Sequence, residues 1–209
     1  MKTLTVMLVA LSAAFGTALA APRAIVQPAE GLSPQVLEQA IASWESLHAR
    51  GAAPRSVLSV IDYSLPSTEK RMWVYDMESG KLLFHELVAH GRNSGENIAL
   101  SFSNVEGSYM TSLGSFVTGA SYDGANGYSM RLRGTEPSIN DRAEERAIVM
   151  HGAPYVDESL GAKQGRIGRS LGCPAVRPEI ARTLIDAIKD GSVVYAWHPS
   201  LEGAAAPSR

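Results

Sequence analysis

The segment "IVMHGAPYV", residues 148–156, followed by "GRIGRSLGCPAV", residues 165–176, decides how the chain is read. The first segment ends an apolar run on His151 and Gly152; the second carries Cys173, the one cysteine in 209 residues. A cysteine attacks through its thiolate, and a free thiol with a pKa of about 8.5 needs a base or a positive charge beside it at neutral pH. Without such a partner, Cys173 would be a small buried apolar residue that happens to carry sulfur.

Histidine is the usual partner, and the chain has five. His48 lies in a predicted helix, His85 sits inside an apolar strand, and His198 ends the last predicted strand before a proline. His90 and His151 each end an apolar strand and are followed at once by glycine, in "LVAHGRNSG" and "IVMHGAPYV". A side chain at a strand end, with glycine opening the backbone beside it, suits a catalytic group on a rigid scaffold. Spacing alone does not choose between these two. His85 and His90 would point to opposite faces of a strand, and no cysteine or carboxylate cluster completes a ligand set, so no metal and no cofactor is expected.

Composition bounds the rest. With 45% hydrophobic residues, 19% charged residues and a formal net charge of -2, the chain matches a soluble globular protein and lacks the basic excess of a phosphate-backbone binder. Nucleic acid is not expected as a partner. Residues 1–20, "MKTLTVMLVALSAAFGTALA", place Lys2 before an apolar run and end on Ala18-Leu19-Ala20, which reads as a secretory signal peptide with the mature chain starting at Ala21. The run from Leu4 to Phe15 falls short of the roughly 20 residues a bilayer requires, so no membrane span is expected in the mature chain. The expected location is periplasmic, or otherwise the cell wall or extracellular space. In an oxidising compartment a lone cysteine cannot pair within its own chain.

Residues 21–55 read as an extended segment and a helix, "SPQVLEQAIASWESLHARG", with Ser33 as its cap, Pro34 in its first turn and Gly51 past its end. Val36, Leu37, Ala40, Ile41, Trp44 and Leu47 share one face, which predicts packing on the main domain. From Ser56 onward, short apolar or alternating runs are separated by Gly, Ser, Asn and Pro clusters: "SVLSVIDYSL", "KRMWVYDM", "KLLFHELVAHG", "GSFVTG", "YSMRLRG" and "RAIVMHG". This predicts a mainly β fold, a sandwich or barrel-like sheet over residues 56–199, with "DMESGK" as a hairpin turn. One helix follows Cys173, in "PEIARTLIDAIKDG", then a last strand, "SVVYAWH", and a loose tail over residues 200–209.

The His-Gly, the gap and the Ser-x-Gly-Cys together resemble the L,D-transpeptidase (YkuD-type) catalytic domain. Cys173 follows His151 by 22 residues, close to the family's gap, and "TSLGSFVT" at residues 111–118 looks like the family's Thr-Pro-x-Gly-x-Phe strand. The resemblance covers residues 56–198 and is closest to the murein L,D-transpeptidase subgroup through "VAHGRNSG" and "FSNVEGS". Two positions depart from the commoner pattern: Leu171 stands where the family has a histidine, and Ala175 where it has Arg or Asn. Arg177, Arg166 and Arg169 are candidates to replace the missing polar anchor.

The resemblance implies a cysteine-nucleophile peptidoglycan L,D-transpeptidase. Cys173, activated by His151, would attack the diamino acid carbonyl of a stem tetrapeptide, expel D-alanine and pass the acyl group from a thioester to an amine, forming a 3-3 cross-link. The carbonyl of Gly152 would orient His151, and the N–H groups of Gly172 and Cys173 would hold the oxyanion. Ser170 would brace the loop, while Tyr122, Tyr128 and Asn126 would line the donor groove. The implied partners are donor and acceptor stem peptides, with carbapenem-type β-lactams as covalent inhibitors. Two alternatives stay open: an L,D-carboxypeptidase or amide hydrolase using the same Cys-His pair, and a non-catalytic wall-binding domain.

Overall fold

A computed structural model of the protein describes residues 25–201; the expected signal peptide at residues 1–20 and nearly all of the expected tail lie outside the described residues. Among the described residues, the chain runs α1 (Pro34–Ala49), β1 (Val57–Asp62), β2 (Met72–Asp76), β3 (Leu82–Glu86), β4 (Gly114–Gly124), β5 (Gly127–Gly134), β6 (Val149–Gly152), α2 (Glu158–Gln164), β7 (Ala175–Val176), α3 (Pro178–Ile188) and β8 (Val193–Trp197). None of these helices is long and apolar enough to cross a membrane.

The strands form one eight-stranded sheet in the order β3-β2-β1-β8-β4-β5-β6-β7. β1 pairs with β8, and β6 with β7, in parallel; the other neighbours are antiparallel. The two ends of the sheet nearly meet. Beyond β3 the chain continues to Ala89, which bridges Ala175 of β7 and donates its N–H to the Ala175 carbonyl at 2.8 Å. The result is a barrel-like sheet, not a two-sheet sandwich.

Burial explains why the central strands lack clean alternation. Every residue of β1 and of β8 is buried, because one face lines the barrel interior and the other is covered. The cover is α1, whose Val36, Leu37, Ala40, Trp44 and Leu47 are buried, and each such large side chain is worth roughly 1.5–3 kcal/mol in removed apolar surface. Polar contacts fix its seat: Ser43 Oγ meets Ser115 Oγ at 2.6 Å, and Trp44 Nε1 donates to the Arg55 carbonyl at 3.2 Å. Ser33 has the extended backbone of a cap but makes no side-chain cap bond, so the helix starts on the fixed φ of Pro34. Gly51 follows it at φ 68.

Three local readings need correction. A helix absent from the expected set, α2, is short and has little apolar periodicity; Asp157 starts it by accepting from Ser159 N at 2.6 Å and Leu160 N at 3.3 Å. β6 starts at Val149 and not at Arg146, because Ala147 adopts φ 53 and ends a series of turns. In the expected tail at residues 200–209, Ser200 is exposed but Leu201 is buried in the main core and donates its N–H to the His198 carbonyl at 2.9 Å.

Candidate active site

The loop that carries Cys173 is held on both sides by the closing seam of the barrel. On one side His151 and Gly152 of β6 pair in parallel with Ala175 and Val176 of β7. On the other side Ser170 N donates to the His90 carbonyl at 2.9 Å, and Arg92 N to the Ser170 carbonyl at 2.8 Å. Cys173 hangs between these two ladders, two residues ahead of β7.

Within the loop, Ser170 Oγ donates to the Cys173 carbonyl at 2.6 Å and accepts from Gly172 N at 3.0 Å. That second bond gives the Gly172 N–H of the expected oxyanion pair an acceptor within the loop itself, whereas the Cys173 N–H has none among the described residues. Gly172 sits at φ 122, and a Cβ there would come 2.8 Å from the Met110 carbonyl oxygen, so both conformation and space call for glycine.

The Cys173 thiol rests against the start of β6, accepting from Val149 N at 3.5 Å and donating to the Ala147 carbonyl at 3.8 Å. Burial pushes its pKa up, while the Val149 N–H and the charge of Arg146 pull it back. His151, 6% exposed, has its Nδ1 3.0 Å from the Gly152 carbonyl oxygen. A carbonyl can only accept, so Nδ1 carries the proton and Nε2 keeps its lone pair. Burial holds the His151 pKa below its ordinary value, against the raising effect of that hydrogen bond. Both shifts favour the uncharged forms, a thiol and a neutral imidazole. Gly152 itself is pressed by α3: a Cβ would lie 2.8 Å from Ala181 Cβ.

Cys173 and His151 line one cleft of about 370 Å³ together with Asn126, Arg146, Ala147, Tyr155, Arg169, Ser170 and Leu171. Of the expected groove residues, Asn126 reaches this cleft, and Tyr122 and Tyr128 are not among its lining residues. Tyr122 stacks under the Arg131 guanidinium at 4.7 Å. Tyr128 turns to α3, where its hydroxyl donates to Asp186 and its ring lies 3.9 Å under Arg182. Tyr128 thus follows the charge on α3, while Tyr122 stays on its own hairpin with Arg131 of β5.

The three arginines proposed as a replacement anchor all have carboxylate partners. Arg177 is clamped by Glu86, with its Nη2 2.7 Å from Oε2. Arg166 and Arg169 share Glu96, each at 2.8 Å, and only Arg169 reaches the cleft. Arg146 and Tyr155 went unmarked in the sequence. Arg146 read as the first residue of a strand, and Tyr155 lay in a loop; burial and the nearby thiol push the Tyr155 pKa up to about 12.

The other histidines are structural. His90 is fully buried; its Nδ1 lies 2.8 Å from Arg71 Nη2, and its Nε2 lies 3.3 Å from the Gly95 carbonyl oxygen. An arginine can only donate, so Nδ1 accepts and Nε2 carries the proton. Burial and the Arg71 charge push the His90 pKa down to about 4. His85 stacks on Trp73, His48 on Trp44, and His198 contacts Phe102. Among the described residues, no three His, Cys, Asp or Glu side chains gather where they could hold a metal ion.

Comparison with known proteins assigns the class. The L,D-transpeptidase catalytic domain family matches residues 28–197, so the chain belongs to that family. The matched region begins well before residue 56 and takes in α1, which shares the barrel core. No curated protein matches the chain. Solved structures similar to it include an L,D-transpeptidase from Mycobacterium smegmatis, at 15% identity and TM-score 0.43, covering 68% of this chain and 59% of that one. L,D-transpeptidase 3 from Mycobacterium tuberculosis, solved with a faropenem-derived adduct, is also 15% identical with TM-score 0.43, covering 68% and 60%. An L,D-transpeptidase from Xylanimonas cellulosilytica is 15% identical with TM-score 0.42, covering 73% and 68%. The chain thus spans 59% of the Mycobacterium smegmatis protein.

Proposed function

We propose that the protein is an exported peptidoglycan L,D-transpeptidase with Cys173 as nucleophile and His151 as base. One observation carries the reading: the single thiol shares a cleft with a histidine whose tautomer is fixed by the Gly152 carbonyl, leaving Nε2 free to take a proton. Family membership supports peptidoglycan as the substrate class. The leader-like residues 1–20 support export, most simply to the periplasm.

In the first half-reaction the Cys173 thiol gives its proton to His151 Nε2 as sulfur attacks the diamino acid carbonyl of a stem tetrapeptide. The tetrahedral oxygen meets the Cys173 N–H, and His151 returns the proton to the departing D-alanine amine, leaving a thioester. In the second half-reaction an acceptor amine attacks that thioester, His151 takes its proton, and the thiol is restored with a 3-3 cross-link formed. Neutral partners at rest suit this sequence, because the proton moves only as attack proceeds.

Incubating the mature protein with a disaccharide tetrapeptide tests the reading. A 3-3 linked dimer is expected; tripeptide alone would favour the carboxypeptidase alternative, and an active C173A variant would end both. A carbapenem should add its mass to the native protein and leave C173A unmodified. Cell fractionation tests the location, with cytoplasmic full-length protein as the contrary outcome.

A further inference from the structure

The cation electrostatically coupled to the thiol comes from outside the nucleophile loop. Arg146 lies just before β6 and lines the same cleft as Cys173. Its Nη1 donates to the Ser103 carbonyl at 2.6 Å and to Ser112 Oγ; its Nη2 donates to the Met110 carbonyl at 2.7 Å and to Ser108 Oγ at 3.3 Å. Every one of these acceptors is a neutral oxygen. Arg166, Arg169 and Arg177 each pair with a carboxylate, whereas Arg146 has no carboxylate partner among the described residues.

Four of the five guanidinium N–H groups are thus used on the loop at residues 103–112. Arg146 cannot fork onto a ligand carboxylate through its two terminal nitrogens without releasing that loop. What it still offers the cleft is its charge. Its Nη2 lies 3.4 Å, and the Met110 carbonyl oxygen 2.8 Å, from where a Cβ on Gly172 would sit, so the clamped loop packs directly on the backbone next to Cys173. A half-buried cation without a counter-ion, beside a thiol that must become an anion, is incomplete until that anion forms.

We propose that Arg146 is a positioning residue of this site: its charge is the counter-ion of the Cys173 thiolate, and its hydrogen bonds pin the 103–112 loop over Gly172. The proposal rests on the reading of Cys173 as nucleophile. It places on a different element the polar anchor that Ala175 no longer provides. The mutual influence of the two groups points the same way, since Arg146 lowers the pKa of Cys173 and Cys173 raises that of Arg146. The other groups facing the thiol stay constant above neutral pH: His151 and the two tyrosines, Tyr63 and Tyr155, remain uncharged, and Arg169 is balanced by Glu96.

Because Cys173 is the one cysteine, its alkylation by iodoacetamide can be followed by intact mass without any turnover. The rate is measured from pH 6 to 10 in the native protein, in R146Q and in R146K. R146Q is expected to move the profile about one unit to higher pH, making alkylation at pH 7 about tenfold slower, with R146K restoring most of the rate. A R146Q profile that superimposes on the native one overturns the proposal, and so does a R146K profile displaced as far as that of R146Q. If circular dichroism finds R146Q unfolded, S108D decides: a carboxylate beside Nη2 should displace the profile in the same direction, and an unmoved profile counts against the proposal. Failure of the nucleophile reading would look different, as cross-linking that persists in C173A.

Discussion

The segments "LVAHG" and "IVMHG" carry the same local pattern, an apolar strand ending in His-Gly, yet the fold gives the two histidines opposite duties. His90 is sealed, with both ring nitrogens occupied, one accepting from Arg71 and the other donating to Gly95. His151 has one nitrogen occupied by Gly152 and lines a cleft shared with a thiol. A histidine becomes available for chemistry when its surroundings fix one nitrogen and leave the second unused.

The largest expected effect separates the two in activity. His151→Gln should lower kcat by about a thousandfold, the loss of a general base, with little change in melting temperature. His90→Gln, which can still accept from Arg71 and donate to Gly95, should keep kcat within about threefold. Steady-state kinetics on a tetrapeptide donor measures both, and equal losses would erase the distinction. His90→Ala comes next: it removes a hydrogen bond to the buried Arg71 and leaves a cavity, for about 3–4 kcal/mol of stability by urea unfolding.

Acid should separate them again. An unfolded His90 takes up a proton near its ordinary pKa of 6.5, and the folded one does so only at about 4. Stability contributed by the neutral ring is therefore full above pH 6.5 and falls on the order of 3 kcal/mol as the pH drops to about 4. His90→Gln should flatten most of that loss in a pH series of unfolding curves. The smallest effect belongs to the rim: Glu96→Gln breaks exposed pairs to Arg166 and Arg169 and should change stability by less than about 1 kcal/mol.

This contrast also marks how far the sequence could be read. The expectation of a His151–Cys173 pair rests on the family resemblance, while helices α1 and α3 and the strand-rich middle follow from local pattern. The choice between His90 and His151 did not, because what seals His90 is Arg71, brought against it by the pairing of β2 with β3. Barrel or sandwich could not be settled by periodicity, since closure depends on a two-residue strand and a single bridge. Helix α2 has a capping aspartate but only Gly161 buried, so no apolar stripe announced it. Arg146 was hidden by a strand-like run that the left-handed backbone of Ala147 interrupts.

Strand β7 has two residues, and they tie the segment after β3 to β6 at the seam beside Cys173. Loop-closure entropy must be met before contacts between distant segments can return it, and the Ala89–Ala175 bridge, like the β1–β8 ladder, joins segments far apart in sequence. With the seam open, the chain lacks the ladder that holds the Cys173 loop against β6. On the proposed reading, closing the barrel and bringing the thiol to its base are one event, so turnover in refolding should not return ahead of the far-ultraviolet circular dichroism signal.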